Sequence, residues 1–173
     1  ISIDWSAVSG FEEIKLTSGN GGGYNTAFTD NVGQAGTTLK IESLGSYSVN
    51  FDFSAETDAS IEINGSSNSD DGSTSNDVFI GGALADIIKS LSGNDTVTGG
   101  GGNDSLYLGA GDDTVTGGAG DDTIDGGTGT DIAIFSGNQS DYTIEITVDG
   151  LYQSIVVDGI DGRDELTKIE TLR

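Results

Sequence analysis

The chain has 173 residues and a formal net charge of -23, with 29 acidic residues against 6 basic ones. This balance excludes nucleic-acid binding, which depends on clustered Lys and Arg, and it disfavours an anionic membrane surface. The chain contains no Cys and no His, so it has no disulfides and lacks the residues of zinc proteases, cysteine nucleophiles and the usual catalytic triads. Because Met is also absent, even at position 1, we expect a piece of a longer protein.

Two further classes of function lack support in the sequence. No stretch approaches the roughly twenty apolar residues of a membrane-spanning helix, so we expect no membrane insertion. No Gly-x-Ser-x-Gly elbow and no phosphate-binding loop is found. We therefore expect a chain that is not an enzyme and has no catalytic residues.

Residues 1–71 predict short strands. Polar and apolar residues alternate there, as in half-buried strands, and turn-rich stretches at 18–23, 30–36 and 64–75 separate the strands. The alternating residues are Ile14 and Leu16, Leu39 and Ile41, Val49 with Phe51 and Phe53, and Ile61 with Ile63. Two interpretations stay open for this region, a separate small β-sandwich or wider solenoid coils that continue into the next region. We favour continuity because Ile61 lies eighteen residues before Phe79; Trp5 and Phe11 would then cover the first coil.

A nine-residue repeat runs from residue 72 to residue 134. Each unit begins with a Gly-rich or Ser-rich stretch and has an aspartate at its sixth position and an apolar residue at its eighth. The sixth-position residues are Asp77, Asp86, Asp95, Asp104, Asp113, Asp122 and Asp131, and the eighth-position residues are Phe79, Ile88, Val97, Leu106, Val115, Ile124 and Ala133. A fixed short period predicts stacked units that share one core. A flexible linker would have no reason to keep this phase.

One such unit cannot be stabilised by burial alone. Ordering nine residues costs about 9 to 18 kcal/mol, whereas burying one Leu returns about 1.5 to 3 kcal/mol. A cation could compensate, because Asp and backbone carbonyls supply oxygen ligands. Stacked strands lie about 4.7 to 4.9 Å apart, so an ion midway between two turns lies about 2.4 Å from each. That distance suits Ca²⁺ and is too long for Mg²⁺, while Zn²⁺ prefers Cys and His.

The repeat units resemble a known family. The stretches 99–107, 117–125 and 126–134 read GGGGNDSLY, GGAGDDTID and GGTGTDIAI, close to the Gly-Gly-x-Gly-x-Asp-x-apolar-x pattern of the RTX (repeats-in-toxin) calcium-binding nonapeptide family. The resemblance implies an all-β fold, a right-handed parallel β-roll or β-solenoid with calcium-binding turns. Positions one to six would form a turn and positions seven to nine a strand, and two units would complete one coil.

The resemblance also implies a ligand set. Each Ca²⁺ would lie between turns eighteen residues apart, held by the sixth-position aspartates of both turns and by backbone carbonyl oxygens. One edge would carry Asp77, Asp95, Asp113 and Asp131 and the other Asp86, Asp104 and Asp122, which allows up to five sites. The predicted carbonyl ligands are Gly99, Gly101, Asn103, Gly117, Gly118, Gly120, Gly126, Gly127 and Gly129. Because the units before residue 99 depart from the pattern, we expect incomplete sites at Asp77 and Asp86.

Two other motifs have ordinary explanations. The pairs Asp112-Asp113 and Asp121-Asp122 are not catalytic carboxylate dyads, since repeat positions five and six account for their spacing; only the sixth-position member is expected to bind metal. The two Thr-x-Thr triplets, 96–98 and 114–116, would stack on one face as in ice-binding solenoids. The neighbouring triplets lack Thr, and Thr is a favoured strand residue, so we interpret them as ordinary strands.

Residues 135–173 predict a C-terminal capping segment. Two alternating runs, 142–148 and 151–157, flank Asp149-Gly150, which is typical of a two-residue hairpin turn. That turn would place Ile144 opposite Ile155 and Val148 opposite Leu151. A Phe-Ser-Gly step, an Asp-Tyr and an Ile-Glu-x-Leu follow the last repeat in this order, and they resemble the segment that caps the solenoid in many RTX proteins.

The resulting hypothesis is a calcium-binding, non-catalytic module that folds on binding Ca²⁺ outside the cell. The resemblance implies a secreted or cell-surface bacterial protein whose parent is exported by type I secretion machinery. The alternative is a surface-interaction module of a large bacterial adhesin or surface layer that contacts glycan or ice. The sequence identifies no receptor or surface ligand.

Overall fold

In this computed structural model the described residues are 13–17, 24–27, 36–44, 48–65, 75–149 and 152–173. They form β-strands and one short 3₁₀ helix, Gln139–Asp141, and no helix among them is long and apolar enough to cross a membrane. The strands are β1 (Glu13–Thr17), β2 (Tyr24–Ala27), β3 (Thr38–Leu44), β4 (Val49–Asp52), β5 (Ser60–Asn64), β6 (Val78–Ile80), β7 (Ile87–Ser92), β8 (Thr96–Gly101), β9 (Ser105–Ala110), β10 (Thr114–Ala119), β11 (Thr123–Thr128), β12 (Ile132–Ala133), β13 (Thr143–Asp149), β14 (Tyr152–Asp158), β15 (Arg163–Thr167) and β16 (Thr171–Leu172).

The strands lie in two sheets, and successive strands from β1 to β12 alternate between them. The first sheet has nine strands in the order β1-β3-β5-β7-β9-β11-β15-β14-β13, and the second has seven in the order β16-β12-β10-β8-β6-β4-β2. The pairs from β1 to β12 are parallel. A chain that alternates between two parallel sheets winds as a β-solenoid, which confirms the predicted fold class.

The repeats stack with a spacing of eighteen residues, as the resemblance implies. Val115 pairs with Val97 in one sheet, and Ile124 pairs with Leu106 in the other. The strands are longer than expected, however. β8, for example, continues from repeat positions seven to nine into the first three positions of the next unit, because Gly100 and Gly101 pair with Gly118 and Ala119. The turns are therefore limited to positions four to six.

The eighth-position side chains form the centre of the solenoid. They are buried, with exposed fractions of 0 to 1 %, and they form one hydrophobic cluster that continues into the strands before and after the repeats. Side chains on alternate positions of a strand point to opposite faces, so the outward neighbours of these residues are polar or partly exposed. The repeat thus supplies one inward apolar residue per strand at its eighth position, and β9 adds a second, Leu108.

The strands before residue 65 belong to the same two sheets. β1, β3 and β5 precede β7, and β2 and β4 precede β6. The spacing of eighteen residues between Ile61 and Phe79 does not reflect stacking, because Ile61 lies in the other sheet and Phe79 pairs with Phe51. These coils are wider than eighteen residues, so a constant spacing cannot be extended into them. The boundaries at residues 71 and 134 stay predictions, and Trp5 and Phe11 lie outside the described residues.

Residues after the last repeat form an antiparallel pair and then return to the solenoid. β13 pairs with β14 and β14 with β15 in antiparallel fashion, whereas β15 and β16 add parallel strands to β11 and β12. The predicted hairpin register is wrong by two residues. Ile144 pairs with Val157 and Ile146 with Ile155, which places apolar residues opposite each other at two positions. The predicted register would have placed Ile146 opposite Gln153.

Candidate metal centre

The sixth-position aspartates begin the strands of both sheets, one above another. Asp77, Asp95, Asp113 and Asp131 precede the strands of the seven-stranded sheet, and Asp86, Asp104 and Asp122 precede those of the nine-stranded sheet. All seven are buried, with exposed fractions of 1 or 2 %. The structure therefore groups these aspartates into the two predicted columns and places them inside the solenoid.

One oxygen of each carboxylate has a structural role. In the repeats, Oδ1 accepts a hydrogen bond from the backbone N–H of the aspartate eighteen residues earlier. These bonds join Asp77 N to Asp95 (2.8 Å), Asp86 N to Asp104 (2.8 Å), Asp95 N to Asp113 (2.7 Å), Asp104 N to Asp122 (2.8 Å) and Asp113 N to Asp131 (2.9 Å). At the first coil, Val49 N donates to Asp77 Oδ1 and Ile61 N to Asp86 Oδ1. Each carboxylate thus connects its own turn to the preceding turn.

The second carboxylate oxygen has no partner at five of the seven positions. Within the described part of the chain, Oδ2 is buried and accepts no hydrogen bond at Asp95, Asp104, Asp113, Asp122 and Asp131. A buried anionic oxygen without a partner is strongly unfavourable, so each of these atoms requires a cation or a proton. Five aspartates in successive turns with the same unsatisfied atom form a repeated site rather than a local defect.

Asp86 differs from these five. Its Oδ2 accepts a hydrogen bond from Gly82 N at 2.7 Å, so no oxygen of this carboxylate is left over. Its unit carries Leu84 and Ala85 where the regular units have Gly and Asn or Asp. The hydrogen bond agrees with the expectation of an incomplete site at Asp86.

The glycines at the first repeat position adjoin the unpartnered oxygens. A methyl group on Gly99 would overlap both Asp104 Oδ2 and the carbonyl oxygen of Gly117, and a methyl group on Gly117 would overlap Asp122 Oδ2. Gly126 likewise adjoins Asp131 Oδ2. At Gly99 a carboxylate oxygen and a backbone carbonyl oxygen therefore meet in a space that a methyl group would fill, whereas the units of Asp95 and Asp113 carry Ser90 and Leu108 at this position. This donor set fits a hard cation such as Ca²⁺.

The other predicted carbonyl ligands line the same turns. Gly101, Gly118 and Gly127 belong to the strand extensions, and Gly120 and Gly129 occupy the fourth position, where φ is +133° and +139°. Asn103 is exposed, and its side chain accepts a hydrogen bond from Asp121 N at 3.1 Å. The coordination by these carbonyls stays a prediction.

Burial also changes the acidity of the aspartates. Desolvation raises the pKa of Asp104 to about 8 and that of Asp113 to about 7, and it raises the pKa of Asp86 and Asp95 to about 6. The backbone hydrogen bonds to these carboxylates oppose the shift, and neighbouring carboxylates of the column add to it. The pKa values of Asp122 and Asp131 are raised for the same first reason. Without a cation, burial therefore shifts these groups toward the protonated form.

Each candidate site depends on two carboxylates. No three acidic side chains of the described residues converge as a metal-binding group, so carbonyl oxygens would have to supply the remaining ligands. Neighbouring ions would share a carboxylate, and six to eight oxygens are the usual coordination of Ca²⁺. The arrangement therefore suits a chain of ions along each column.

The fifth-position side chains form a separate, exposed ladder. Here the side-chain oxygen accepts an N–H from the following coil, as in Asp112 N to Asn94 Oδ1 (3.1 Å) and Thr130 N to Asp112 Oδ1 (2.9 Å). Asp112 and Asp121 are exposed, whereas their neighbours Asp113 and Asp122 are buried. The two acids of each pair therefore lie on opposite faces of the turn. Acids separated in this way do not form a catalytic dyad.

The sequence analysis missed two acids that extend the columns. Asp164 Oδ1 accepts a hydrogen bond from Asp122 N at 2.9 Å, and Glu170 Oε2 accepts one from Asp131 N at 2.7 Å. Asp164 is buried. The stretch 159–164 reads Gly-Ile-Asp-Gly-Arg-Asp, so its Gly-x-x-Gly-x-Asp spacing was the available indication.

The comparisons with known proteins agree with this geometry. Two overlapping stretches, residues 71–106 and 98–133, match the family model of the RTX calcium-binding nonapeptide repeat (4 copies). None of the curated proteins compared with the chain matches it. Repeats of this family bind Ca²⁺, and they are typical of calcium-binding modules of secreted proteins rather than of catalytic domains. Residues 71–133 are thus an RTX calcium-binding repeat region.

Proposed function

We propose that this chain is a calcium-responsive folding module, without catalytic activity, of a protein that type I secretion machinery exports. The observation that carries the proposal is the set of five buried Oδ2 atoms without a hydrogen-bond partner, at Asp95, Asp104, Asp113, Asp122 and Asp131. A fold that places such atoms in its interior is unfavourable without cations and favourable with them. Folding and calcium binding are therefore coupled.

The mechanism follows from the difference in calcium concentration across the cell envelope. An ion that binds only the folded chain stabilises it by mass action, and metal binding to a site that exists only in the folded state appears as folding free energy. Extracellular calcium modules typically bind with dissociation constants of about 10⁻⁴ to 10⁻³ M. Inside a cell the sites stay empty and the acidic repeats repel one another; outside they fill and the solenoid forms.

A calcium titration of the metal-stripped chain tests this proposal. We expect the repeat region to change cooperatively from a disordered to a β form, measured as a gain of β signal in the circular-dichroism spectrum, because one aspartate connects neighbouring ions. Mg²⁺ at the same concentration is the matched control and should give little β structure, since it requires shorter bonds and a rigid octahedron. A repeat region that is fully folded in chelator and unchanged by Ca²⁺ would overturn the proposal.

The surface-interaction alternative has one observation in its favour. β13 is exposed along its whole length and carries Ile146 and Val148 with exposed fractions of 60 and 67 %, and exposed apolar patches often mark contact surfaces. The Thr-x-Thr triplets do stack, with Thr96 opposite Thr114, but Val78 and Ile132 replace Thr in the adjacent described rungs. Assays of ice recrystallisation and glycan-array binding would separate this alternative from the folding module.

A further inference from the structure

Residues 159–167 repeat the architecture of a nonapeptide unit outside the matched repeats. Their sequence, Gly-Ile-Asp-Gly-Arg-Asp-Glu-Leu-Thr, has Gly at positions one and four, Asp at position six and Leu at position eight. Asp122 and Asp164 are 42 residues apart, whereas Asp104 and Asp122 are 18 apart, because residues 135–158 are inserted between the seventh unit and this one. Because of this insertion, a constant nine-residue period does not lead from the seventh unit to this one.

In its strand and at its third to fifth positions, this unit stacks on the sixth unit, residues 117–125, as regular repeats stack on one another. Leu166 pairs with Ile124 as Ile124 pairs with Leu106. Gly120 N donates to the carbonyl of Asp161, at the third position, as Gly102 N donates to the carbonyl of Ala119. The fifth-position ladder also continues, since Arg163 N donates to Asp121 Oδ1 at 2.9 Å.

The turn glycine has the regular conformation too. Gly162 has φ of +143°, close to the +133° of Gly120, a region that L-residues with a side chain rarely adopt. A methyl group on Gly162 would overlap the carbonyl oxygen of Gly120, just as one on Gly129 would overlap that of Gly111. The turn 159–164 thus approaches the turn before it as closely as the calcium-binding turns approach one another.

We propose that residues 159–164 form the calcium-binding turn of an eighth unit, whose ion lies between Asp122 and Asp164. This inference rests on the proposed function and adds a site that the matched repeats do not include. Asp122 is 1 % exposed, and its Oδ2 lies buried in the turn 117–122 without a hydrogen-bond partner. Asp164 is equally buried and lies one coil further along the column. It supplies the second carboxylate of the pair.

A third acid adjoins this site. Asp161 Oδ1 is buried without a hydrogen-bond partner, and its Oδ2 accepts a hydrogen bond from the Tyr142 hydroxyl at 2.8 Å. After burial, the charges of Asp122 and Asp161 are among the causes that raise the pKa of Asp164, which places the three carboxylates in electrostatic range. The third position of the regular units carries Gly, Ala or Thr at residues 101, 110, 119 and 128, so this turn is more negative than the others.

The Tyr142 contact connects the site to the inserted segment. The Tyr142 ring lies against Gly159, where a methyl group would overlap it, and the single hydroxyl proton is shared between Asp161 and the carbonyl oxygen of Ser136. Calcium between Asp122 and Asp164 would therefore hold the turn 159–164 to the solenoid and, through Asp161 and Tyr142, fix the insertion as well. Asp161 adds negative charge beside the ion without forming a three-carboxylate ligand group, so we expect this ion to bind about as tightly as those of the repeats.

The other column ends differently and supplies an internal control. Glu170 accepts an N–H from Asp131, as Asp164 does from Asp122. Its turn is three residues shorter, since 39 residues rather than 42 separate the two acids. Lys168 precedes Glu170 in this turn and forms an ion pair with Asp125. The Lys168 carbonyl oxygen still lies beside Asp131 Oδ2 at Gly126, but Glu170 is exposed whereas Asp164 is buried, so we expect Glu170 to be a hydrogen-bond acceptor only.

The test compares Asp164→Asn with Glu170→Gln in the full chain by calcium stoichiometry, measured by isothermal titration calorimetry and by metal analysis of the folded protein. Both changes remove one charge and keep an oxygen that can accept the N–H. We expect Asp164→Asn to bind one Ca²⁺ fewer than the wild type and Glu170→Gln to bind the same number. An unchanged number for Asp164→Asn would overturn this inference while leaving the proposed function intact, whereas a wild type that binds no Ca²⁺ would overturn both.

A second variant keeps the inference testable if Asp164→Asn does not fold. Tb³⁺ bound beside Asp161 should be sensitised by the Tyr142 side chain, whose hydroxyl lies 2.8 Å from that carboxylate. Tyr142→Phe should therefore lower tyrosine-excited Tb³⁺ emission while the number of Ca²⁺ ions bound stays at the wild-type value. Unchanged emission from Tyr142→Phe would contradict an ion at this turn.

Discussion

The coils before the repeats and the coils of the repeats belong to the same two sheets, but their buried side chains differ in polarity. In the nine-stranded sheet, one inward position is occupied by Leu39 and then Ile61, and the next coils place Asp86 and Asp104 there. In the seven-stranded sheet, Val49 precedes Asp77 in the same way. All these side chains are buried. The chain thus exchanges an apolar residue for a carboxylate at a single structural position.

The exchange shows what stabilises each region. Burying Leu39 or Ile61 contributes about 1.5 to 3 kcal/mol each, and it does so without any ligand. Burying a carboxylate at the same place is unfavourable unless an opposite charge accompanies it. We therefore expect the coils that contain 38–64 to fold on their apolar core and the coils that contain 95–133 to depend on cations.

Removing the metal should give the largest difference between the two regions. In chelator at neutral pH, we expect backbone amides of 96–133 to exchange with deuterium at least about tenfold faster than those of 38–63, because local opening follows local stability. Hydrogen exchange followed by mass spectrometry measures both regions in one sample.

The calcium-loaded protein is the control for this experiment, and there both regions should be protected. Equal protection of the two regions in chelator would mean that the repeats do not need cations. Equal loss of protection would mean that the apolar coils do not keep their strand pairing unless the repeats are folded. Either result would break the comparison between the two interiors.

A pair of adjacent aspartates sharpens the comparison within one turn. Asp113→Asn keeps an oxygen that can accept the N–H of Asp95 but removes the charge of the unpartnered Oδ2. Since this carboxylate adjoins two predicted ions, the calcium midpoint should rise at least about tenfold. Asp112→Asn makes the same chemical change at an exposed position, where single charges contribute little, and should move the midpoint less than about twofold.

Calcium titrations followed by circular dichroism measure both midpoints under one buffer condition. If Asp112→Asn proved as harmful as Asp113→Asn, the effect would come from total charge rather than from the buried column. The fifth-position side chains would then matter for calcium binding as much as the sixth-position side chains.

The sequence predicted most of this site because the repeat keeps its period. Asp95, Asp104, Asp113 and their neighbours recur every nine residues, so one assignment of the inward face applies to all of them. The predicted fold class followed from the same regularity. The separation of Asp112 from Asp113 was also predictable, since consecutive residues point to opposite sides of an extended chain.

What the sequence did not predict depends on contacts across irregular intervals. Asp164 and Glu170 occupy the two columns only because an inserted segment brings β15 and β16 back to the sheets. The register of β13 and β14 follows the pairing of Ile144 with Val157 and Ile146 with Ile155, which outweighs the Asp-Gly turn preference. Ile61 lies in the other sheet because the coils before the repeats differ in length. The local sequence does not indicate the length of a coil.

The smallest expected effect is a pH dependence of the metal-free repeats that runs opposite to that of the calcium-loaded ones. The folded-state pKa values of Asp95, Asp113 and Asp104 are raised from 3.8 to about 6, 7 and 8. Between pH 3.8 and these values the folded chain binds more protons than the unfolded chain, so the stability of the metal-free fold falls as the pH rises through this window. Acidification from pH 8 to pH 5 should therefore increase the β content of the metal-stripped chain in part.

With Ca²⁺ present, acidification should act in the other direction. Protons compete with the ion for the same carboxylate oxygens, so the calcium midpoint should be higher at pH 5 than at pH 8. Circular dichroism of the metal-stripped chain at both pH values, with and without added Ca²⁺, measures the two trends on one sample. Although Glu56 is buried in the coils of 38–64, the column positions there carry apolar residues, so the amide protection of these coils should follow both trends less than that of the repeats. Parallel trends with and without Ca²⁺ would show that the buried aspartates are not the groups that bind the ion.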